Sequence, residues 1–418
     1  MRASAAFSLL LIAGGCVAGA SGGGEAAEQV RDKQDFATIE RGRYLSLAGD
    51  CAACHTAPGG KPYAGGRAIE TPFGNVLASN LTPDRETGTG AWSDDDFVSA
   101  LQHGRSFGGE RLYPAMPYPY YTRMTRDDVL AIKAYLDTLE PVHNEVHSNQ
   151  LPFPLNIRLG MALWNKLLFT AGTFAPAAGK SAEWNRGAYL VEGAGHCGAC
   201  HTAKNFLGGD KTSRTLAGGA LQGWYSPNLT GDPRAGLGQW SADEIAAYLK
   251  SGHVGAAAAT GPMAEVIADS TSHLTDEDLH AIATYLKDQP PRGTAVAEGA
   301  PDAAVMHAGE AIYVDNCAAC HAVAGAGVAG LFPALKGSAA VQSADPTSLV
   351  RVVLEGARSV ATDAAPTAPA MPAFDWKLSD AQAAAVLTYI RNAWGNAASS
   401  VSSGDVQKAR KSLAQATQ

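Results

Sequence analysis

The chain has few charged residues and no excess of basic ones. Of its 418 residues, 17% are Asp, Glu, Lys or Arg, and the formal net charge is -8. A nucleic-acid-binding protein needs a concentrated basic face, so this composition gives no support to nucleic acid as a partner. The length allows roughly two to four domains of ~100–200 residues each, and 46% hydrophobic residues are enough to build their cores.

Long apolar segments are also missing. The N-terminal apolar run at residues 7–12 is too short to cross a bilayer, which takes about 20 residues. It follows a basic residue and precedes an Ala18-Gly19-Ala20 cleavage site, which is typical of a secretory signal peptide. We therefore predict that residues 1–20 direct export and are then removed. Lipid attachment at Cys16 is the alternative.

Cysteine is scarce, and its placement is specific. Six of the seven cysteines lie in three Cys-x-x-Cys-His motifs, at 51–55, 197–201 and 317–321. Two thiols three residues apart lie on one side of a helical turn, so both reach the vinyl groups of one porphyrin, and the histidine then faces the iron. A lone Cys-x-x-Cys also occurs in zinc and redox sites. Three complete motifs leave no motif cysteine over, which disfavours zinc and disulfide interpretations.

The motifs predict three covalently bound haem c groups. Each group is attached through two cysteines and has a proximal histidine: Cys51, Cys54 and His55; Cys197, Cys200 and His201; Cys317, Cys320 and His321. The second axial ligand should be a methionine from a later loop, because a thioether raises the potential of the iron. One candidate for each motif lies beside a proline, which stiffens its loop: Met116, Met263 and Met371. Met124, Met161 and Met306 are interpreted as core residues.

Each motif belongs to a repeated helical unit. A short segment with a glycine and an aromatic residue precedes each motif, and an amphipathic helix with Thr125, Thr275 or Ser379 as its N-cap closes each unit. Asn-Leu-Thr and Trp-Ser segments recur with equal spacing at 80–93 and 228–241, whereas the third unit lacks this loop. The pattern predicts an all-α fold with three tandem class I-like cytochrome c domains, the first two a duplicated pair.

The predicted boundaries follow from these repeats. They are a signal peptide at 1–20, cytochrome c domain 1 at 37–142, a connector at 143–181, cytochrome c domain 2 at 182–289, cytochrome c domain 3 at 302–396 and a loose tail at 397–418. We call the three domains units one, two and three; a Pro/Gly/Ala-rich hinge precedes unit three. The apolar connector favours a strap packed between two units, with a helix docked on a membrane surface or a partner as the alternative.

Six stretches of units one and two resemble a known family. They lie at 49–66, 71–93, 112–121, 184–202, 223–231 and 261–267. They are similar to the membrane-bound tri-haem cytochrome c subunit of bacterial periplasmic dehydrogenases, such as gluconate 2-dehydrogenase and alcohol dehydrogenase. The resemblance implies His/Met-ligated haems and a place at the outer face of the cytoplasmic membrane. It also implies electrons arriving from a separate catalytic subunit, with flavin, pyrroloquinoline quinone or molybdopterin, and leaving to ubiquinone or a terminal oxidase.

Two other functions compete with that of an electron-transfer subunit. One is a free periplasmic multihaem carrier, which has no fixed dehydrogenase partner. The other is a haem enzyme such as a cytochrome c peroxidase, which needs one open or displaceable axial position on an iron. The three predicted His/Met pairs leave every iron six-coordinate. The sequence therefore favours a subunit that carries electrons and does not itself oxidise a substrate.

Overall fold

The computed structural model describes residues 35–147, 149–255, 257–293 and 301–416. Within these ranges the chain is largely helical, as predicted, and its strands form four separate two-stranded antiparallel ladders. No helix in these ranges is long and apolar enough to cross a membrane. The predicted signal peptide at 1–20, Cys16 and most of the predicted hinge lie outside the described residues.

Each unit begins and ends with helices that pack on each other. Unit one and the connector contain α1 Phe36–Ala48, α2 Cys51–His55, β1 Ala68–Thr71, β2 Gly74–Leu77, α3 Asp94–His103, α4 Tyr118–Tyr121, α5 Arg126–Leu136 and α6 Gly160–Leu168. Unit two contains α7 Ala182–Tyr189, α8 Gly198–His201, β3 Gly219–Leu221, β4 Trp224–Ser226, α9 Ala242–Ser251, β5 His253–Val254, β6 Ala257–Ala258, α10 Pro262–Asp269 and α11 Asp276–Lys287. Unit three and the segment after it contain α12 Ala303–Asn316, α13 Ala318–His321, α14 Thr347–Glu355, β7 Ala357–Arg358, β8 Ala370–Met371, α15 Asp380–Asn392 and α16 Ser403–Ala416. The packed pairs are α1 with α5, α7 with α11 and α12 with α15.

A glycine lies where the first helix of each unit crosses the last. A side chain at Gly42 would overlap the carbonyl oxygen of Ala131, and one at Gly187 would overlap that of Ala281. Gly309 has the same position against α15 in unit three. Only glycine allows two backbones to approach this closely. The glycine before each motif therefore fixes the motif relative to the final helix.

The closing helices begin at the predicted N-caps. The side chain at each N-cap accepts a hydrogen bond from the backbone N–H three residues later, in Thr125, Thr275 and Ser379. Ser379 and Gln382 form a complete capping box. These bonds satisfy backbone donors that a helix leaves unpaired in its first turn, so the start of each closing helix is fixed locally.

Unit two has one residue more than unit one between the crossing glycine and the motif. The extra residue lies in a π-helical turn at Leu190–Ala194. Such turns absorb a single inserted residue without breaking the helix. This turn packs against α4 of unit one, so the insertion lies at the contact between the two units.

Units one and two share one hydrophobic core. Leu45 and Ile132 of unit one pack in the same cluster as Leu190 and Ile282 of unit two. Met124 is fully buried in this cluster, as expected for a core residue. Unit three has a separate core built mainly from α12, α14 and α15.

Unit three nevertheless contacts unit two directly. The backbone N–H of Tyr225 donates to Ser348 Oγ at 2.8 Å, and Ser348 Oγ donates back to the Tyr225 carbonyl oxygen at 3.0 Å. The guanidinium of Arg351 lies 4.6 Å from the centroid of a Trp224 ring, a cation–π contact. α14 and β4 therefore join the two units.

The connector attaches to both units through one face of α6. Trp164 is buried and donates from Nε1 to the carbonyl oxygen of Leu207 in unit two at 2.8 Å. Tyr118 of unit one donates from Oη to Asn165 Oδ1 at 2.5 Å. These contacts are those of a strap between two units. The opposite face of the connector helix leaves three leucines exposed, at Leu159, Leu163 and Leu167.

The prediction of a loose tail at 397–418 is wrong for residues 397–416, the part that the structure describes. Ser403–Ala416 form α16, which packs against α14 and α15. Val406 is completely buried in the core of unit three, and Arg410 donates from Nε to Asp380 Oδ1 at 2.7 Å. The Ser- and Gln-rich composition is typical of a solvated segment. A few apolar residues at helical spacing are enough to attach this helix to the core.

Candidate haem sites and the contact between units one and two

The three motif histidines share one hydrogen-bond arrangement. Each Nδ1 lies at hydrogen-bond distance from a backbone carbonyl oxygen, in the pairs His55 and Ser79 (2.7 Å), His201 and Pro227 (2.7 Å), and His321 and Pro333 (2.8 Å). A carbonyl oxygen only accepts, so Nδ1 carries the proton in each ring and Nε2 keeps a lone pair for a metal. A histidine that binds a metal is commonly oriented in this way.

In units one and two these carbonyls come from the repeated Asn-Leu-Thr loop. Ser79 and Pro227 directly precede Asn80 and Asn228, and each asparagine Oδ1 accepts the N–H of the residue two positions later, at 2.9 and 2.8 Å. Such turns fix the local backbone. Pro333 supplies the carbonyl in unit three, which lacks that loop. The sequence analysis identified the repeated loop of units one and two but not its role in orienting the imidazoles.

Burial favours the neutral form of five motif side chains, which are those of His55, His201, Cys51, Cys197 and Cys317. Burial lowers the pKa of His55 and of His201. It also raises the pKa of Cys51 and Cys197 to about 12 and that of Cys317 to about 11. Neutral imidazole is the form that binds a metal, whereas zinc and redox sites need thiolates. In the part of the chain that the structure describes, no cluster of three or more His, Cys, Asp or Glu could hold a metal ion.

The three candidate sixth ligands lie in different elements. Met116 lies between α3 and α4, Met263 in the first turn of α10, and Met371 in β8. Met116 and Cys51 pack against the same core, and so do Met371 and Cys317 in unit three. The axial role of the three methionines stays a prediction.

Two crossed tyrosine–aspartate bonds join units one and two. Tyr44 of unit one donates from Oη to Asp278 Oδ2 at 2.6 Å, and Tyr189 of unit two donates to Asp128 Oδ2 at 2.5 Å. Each aspartate also pairs with an arginine of its own unit, Asp128 with Arg41 and Asp278 with Arg186. Burial by itself would raise the pKa of Asp278, but the hydrogen bonds from Arg186 and Tyr44 bring it below its usual value.

Sequence reasoning missed this contact, although its signal is present. The segment Arg-Gly-x-Tyr occurs twice, at 41–44 and at 186–189, and the closing helices of units one and two both have an aspartate at their third position. Unit three has Ala308, Ala311 and Gln382 at the equivalent positions. It therefore lacks the arginine, the tyrosine and the aspartate that the reciprocal contact needs.

The residues directly before the first and second motifs also lie where units one and two meet. Tyr121 of unit one donates to the carbonyl oxygen of Gly49 at 3.0 Å and packs edge-on against His196 of unit two, with ring centroids 5.4 Å apart. Asp50 and His196, which directly precede the two motifs, both have left-handed backbones, with φ of 49° and 38°. The two candidate haem sites therefore approach each other through these residues.

The donor set fits haem c. Each motif offers two thiols three residues apart and an imidazole whose Nδ1 is held by a backbone carbonyl, which leaves Nε2 available for iron, the arrangement that covalent haem attachment needs. The largely helical fold and these sites define a c-type cytochrome. The sequence profile of the cytochrome c family matches residues 39–140, 185–290 and 306–394, and each of these stretches contains one motif.

Named relatives narrow the class further. The chain is 40% identical over 401 residues to the gluconate 2-dehydrogenase cytochrome c subunit of Pantoea cypripedii, covering 91% of each chain. It is 40% identical over 430 residues to the cytochrome c subunit of the quinone alcohol dehydrogenase of Gluconacetobacter polyoxogenes, covering 97% of this chain and 88% of that one. A diheme cytochrome c-type protein of Cereibacter sphaeroides is 40% identical over 302 residues, which cover 69% of this chain and 99% of that protein. The chain belongs to the cytochrome c family, among the electron-transfer cytochrome c subunits of dehydrogenases.

Proposed function

We propose that this chain is the tri-haem electron-transfer subunit of a periplasmic dehydrogenase that acts on a sugar, polyol, alcohol or aldehyde. The observation that carries the proposal is the arrangement of the three motif histidines, each held at Nδ1 by a backbone carbonyl. Three profile matches with one motif each support three haems. A bound haem c supplies reversible one-electron chemistry at its iron.

The residues of the chain hold and tune each group. The paired thiols would attach the porphyrin, and Nε2 of His55, His201 or His321 would bind the iron. Met116, Met263 and Met371 would supply the second protein ligand of each iron. An iron held by two protein ligands would offer no position to a small substrate, which favours electron transfer over a peroxidase reaction.

Each haem belongs to its own cytochrome c domain, at 37–142, 182–289 and 302–396. The first two domains are a duplicated pair. The shared Asn-Leu-Thr loop, the repeated Arg-Gly-x-Tyr segment and the reciprocal contact support the duplication. The separate core of the third domain and its lack of these features support a later fusion of a shorter cytochrome.

The chain is exported by the signal peptide at 1–20 and acts at the outer face of the cytoplasmic membrane. The exposed side of α6 supports contact with a membrane surface, since Leu159 is 77% exposed and Phe206, beside the residue that binds Trp164, is 86% exposed. Contiguous exposed apolar residues mark interaction surfaces, and the exposed Lys166 suits anionic headgroups. Lipid attachment at Cys16 remains the alternative anchor.

Membrane contact through α6 is testable with charge substitutions. Leu163→Glu combined with Leu167→Glu should reduce binding of the haem-loaded chain to anionic vesicles, because two apolar contacts are replaced by charges that the headgroups repel. Cys16→Ser should leave membrane retention in cells unchanged. Retention that is lost in Cys16→Ser but kept in the double glutamate variant would favour the lipid anchor instead.

The catalytic partner carries flavin, pyrroloquinoline quinone or molybdopterin, and the electrons leave to ubiquinone or a terminal oxidase. We place unit three nearest the dehydrogenase and units one and two on the path to the quinone. Cys54 and Cys320 are exposed whereas Cys200 is only partly so, which supports entry and exit of electrons at the first and third haem sites. A partner can thus approach the first and the third haem site.

Reconstitution with the dehydrogenase tests this function. The chain alone should not oxidise sugars, alcohols or aldehydes, and adding it to the dehydrogenase should enable ubiquinone reduction. Cys317→Ala with Cys320→Ala should leave two haems that dithionite reduces but the dehydrogenase does not. The matched control, Cys51→Ala with Cys54→Ala, should keep reduction by the dehydrogenase and lose ubiquinone reduction.

Two outcomes of this reconstitution would contradict different parts of the proposal. Normal reduction of the first two haems by substrate in the absence of the third would overturn the order of the units. Failure of the intact chain to accept electrons from any of the three classes of dehydrogenase would overturn its role as their subunit.

A further inference from the structure

Arg67 is bonded at once to the first motif and to a helix of the second unit. Its Nη1 donates to the carbonyl oxygen of Ala53, inside the first Cys-x-x-Cys-His motif, at 2.5 Å. The same guanidinium forms a bidentate pair with Glu265 of α10, with Nη2 at 3.1 Å from Oε2. α10 carries Met263 in its first turn and packs against α2, which is the first motif. One side chain therefore spans the two candidate haem sites.

This ion pair is partly buried among further carboxylates. The side chains of Arg67 and Glu265 are 33% and 40% exposed. Burial, together with the neighbouring carboxylates of Asp269 and Glu265, raises the pKa of Asp50 to about 7, and Arg67 acts in the opposite direction. Arg67 is thus a cation placed among three carboxylates. A bidentate arginine–carboxylate pair fixes geometry as well as charge.

The first turn of α10 is held by this pair and not by a capping side chain. Its N-cap is Gly261, which offers no side-chain hydrogen bond to the first turn. The closing helices, in contrast, begin at threonine or serine caps. Glu265 lies in the first turn of α10, two residues after Met263, so its bond to Arg67 holds the turn that presents the methionine.

The Arg67–Glu265 pair has no equivalent with the roles of units one and two exchanged, because neither of its residue types recurs at the corresponding position. By the register of the paired strands, Gly219 of unit two stands where Arg67 stands in unit one. Tyr118 has the position in unit one, two residues after the candidate methionine, that Glu265 has in unit two. The tyrosine–aspartate bonds already join the units reciprocally. A one-way bridge therefore has a role beyond joining them.

We propose that Arg67 is a positioning residue for the second haem site. By holding Glu265 against the first motif, it fixes the first turn of α10 and with it the thioether of Met263. This inference rests on the proposed axial role of Met263. It assigns to unit one a part in keeping the sixth ligand of unit two on its iron.

The test uses the haem-loaded chain with Arg67→Ala, Arg67→Lys and Glu265→Gln. The measurements are the Met–Fe(III) charge-transfer absorbance and the rate at which imidazole displaces the sixth ligand. Arg67→Ala and Glu265→Gln should each speed displacement at one haem of the three by about fivefold, the effect expected for a partly exposed ion pair. Arg67→Lys should restore part of the original rate because it keeps the charge. Arg67→Ala combined with Glu265→Gln should show the same displacement rate as either substitution alone, because both remove the same contact.

Two further variants separate the possible failures. Lys61→Ala is the matched control, since Lys61 pairs with Glu140 within unit one on an exposed surface, and it should change neither signal. An intact charge-transfer band in Met263→Ala would overturn the ligand assignment itself. Loss of one share of the band in Met263→Ala, together with unchanged displacement in Arg67→Ala, would overturn the positioning role alone. If Arg67→Ala fails to load haem, unchanged displacement in Arg67→Lys and Glu265→Gln overturns the inference.

Discussion

The crossed tyrosine–aspartate bonds allow the contact between units one and two to be weakened by removing a single hydroxyl group. Tyr189→Phe removes the hydroxyl that donates to Asp128 and accepts the backbone N–H of Thr125 at 3.1 Å. Asp128 is only 1% exposed, so water does not replace the lost donor. A hydrogen bond to a charged group contributes about 1.5–3 kcal/mol. We expect Tyr189→Phe to lower the free energy of unfolding of units one and two by about 2 kcal/mol.

Tyr44→Phe, the symmetric variant, should lower the free energy of unfolding by less than Tyr189→Phe does. Tyr44 donates to Asp278 Oδ2, but its contact with the backbone N–H of Thr275 is longer, at 3.3 Å. Asp278 Oδ2 also accepts from Arg186 Nη2 at 2.7 Å, whereas Arg41 binds the other oxygen of Asp128, Oδ1, and not the Oδ2 that Tyr189 binds. We therefore expect Tyr44→Phe to lower the free energy of unfolding by about 1 kcal/mol. The two variants combined should weaken the contact more than either alone.

Guanidinium unfolding of the haem-loaded chain, followed by circular dichroism in the Soret band, measures these changes. Tyr313→Phe is the matched control, because Tyr313 donates to the carbonyl oxygen of Ala322 within unit three. It should leave the transition of units one and two unchanged. A shift below about 0.3 kcal/mol in Tyr189→Phe, within the usual error of such comparisons, would refute this account of the contact.

Three other predictions concern single elements. The contact between units one and two should weaken in acid, because the pKa of Asp278 in the folded chain lies below its unfolded value of about 3.9. The contribution of Asp278 to stability is complete above that pH and is lost as the pH falls through the folded pKa. Asp278→Asn should remove this pH dependence from acid unfolding curves. Replacing a sixth ligand by alanine should abolish one share of the Met–Fe(III) band and lower one potential, within a tuning range of ~0.8 V, for each of Met116, Met263 and Met371. Met124→Ala should instead destabilise the core by about 2–5 kcal/mol and keep the band, and loss of the band there would reassign the first ligand. Truncation before Ser403 should lower the thermal stability of unit three alone, because it uncovers the core that Val406 fills, and an unchanged melting profile would contradict this.

The features that the sequence predicts are those whose chemistry is local. Cys51, Cys54 and His55 lie within one helical turn, so their spacing alone indicates a haem site. The N-cap at Thr125 and the crossing glycine at Gly42 are likewise set by a few neighbouring residues and by the backbone geometry that they require.

The features that the sequence does not predict depend on distant partners. Tyr44 and Asp278 are 234 residues apart, and Arg67 and Glu265 are 198 apart. Neither pair has a spacing from which contact could be derived. The prediction of a loose tail is wrong for a different reason. The composition of this segment is typical of a solvated chain, whereas a few buried residues such as Val406 decide where α16 packs.

The central claim is that each of the three motifs carries its own covalent haem. Pyridine haemochrome absorbance of the mature purified chain, divided by its protein concentration, measures the number of haems per chain directly. The account predicts three, and the denatured chain should keep its haem colour on a gel because thioether bonds survive denaturation. Two or fewer haems per chain in a fully matured sample would contradict it.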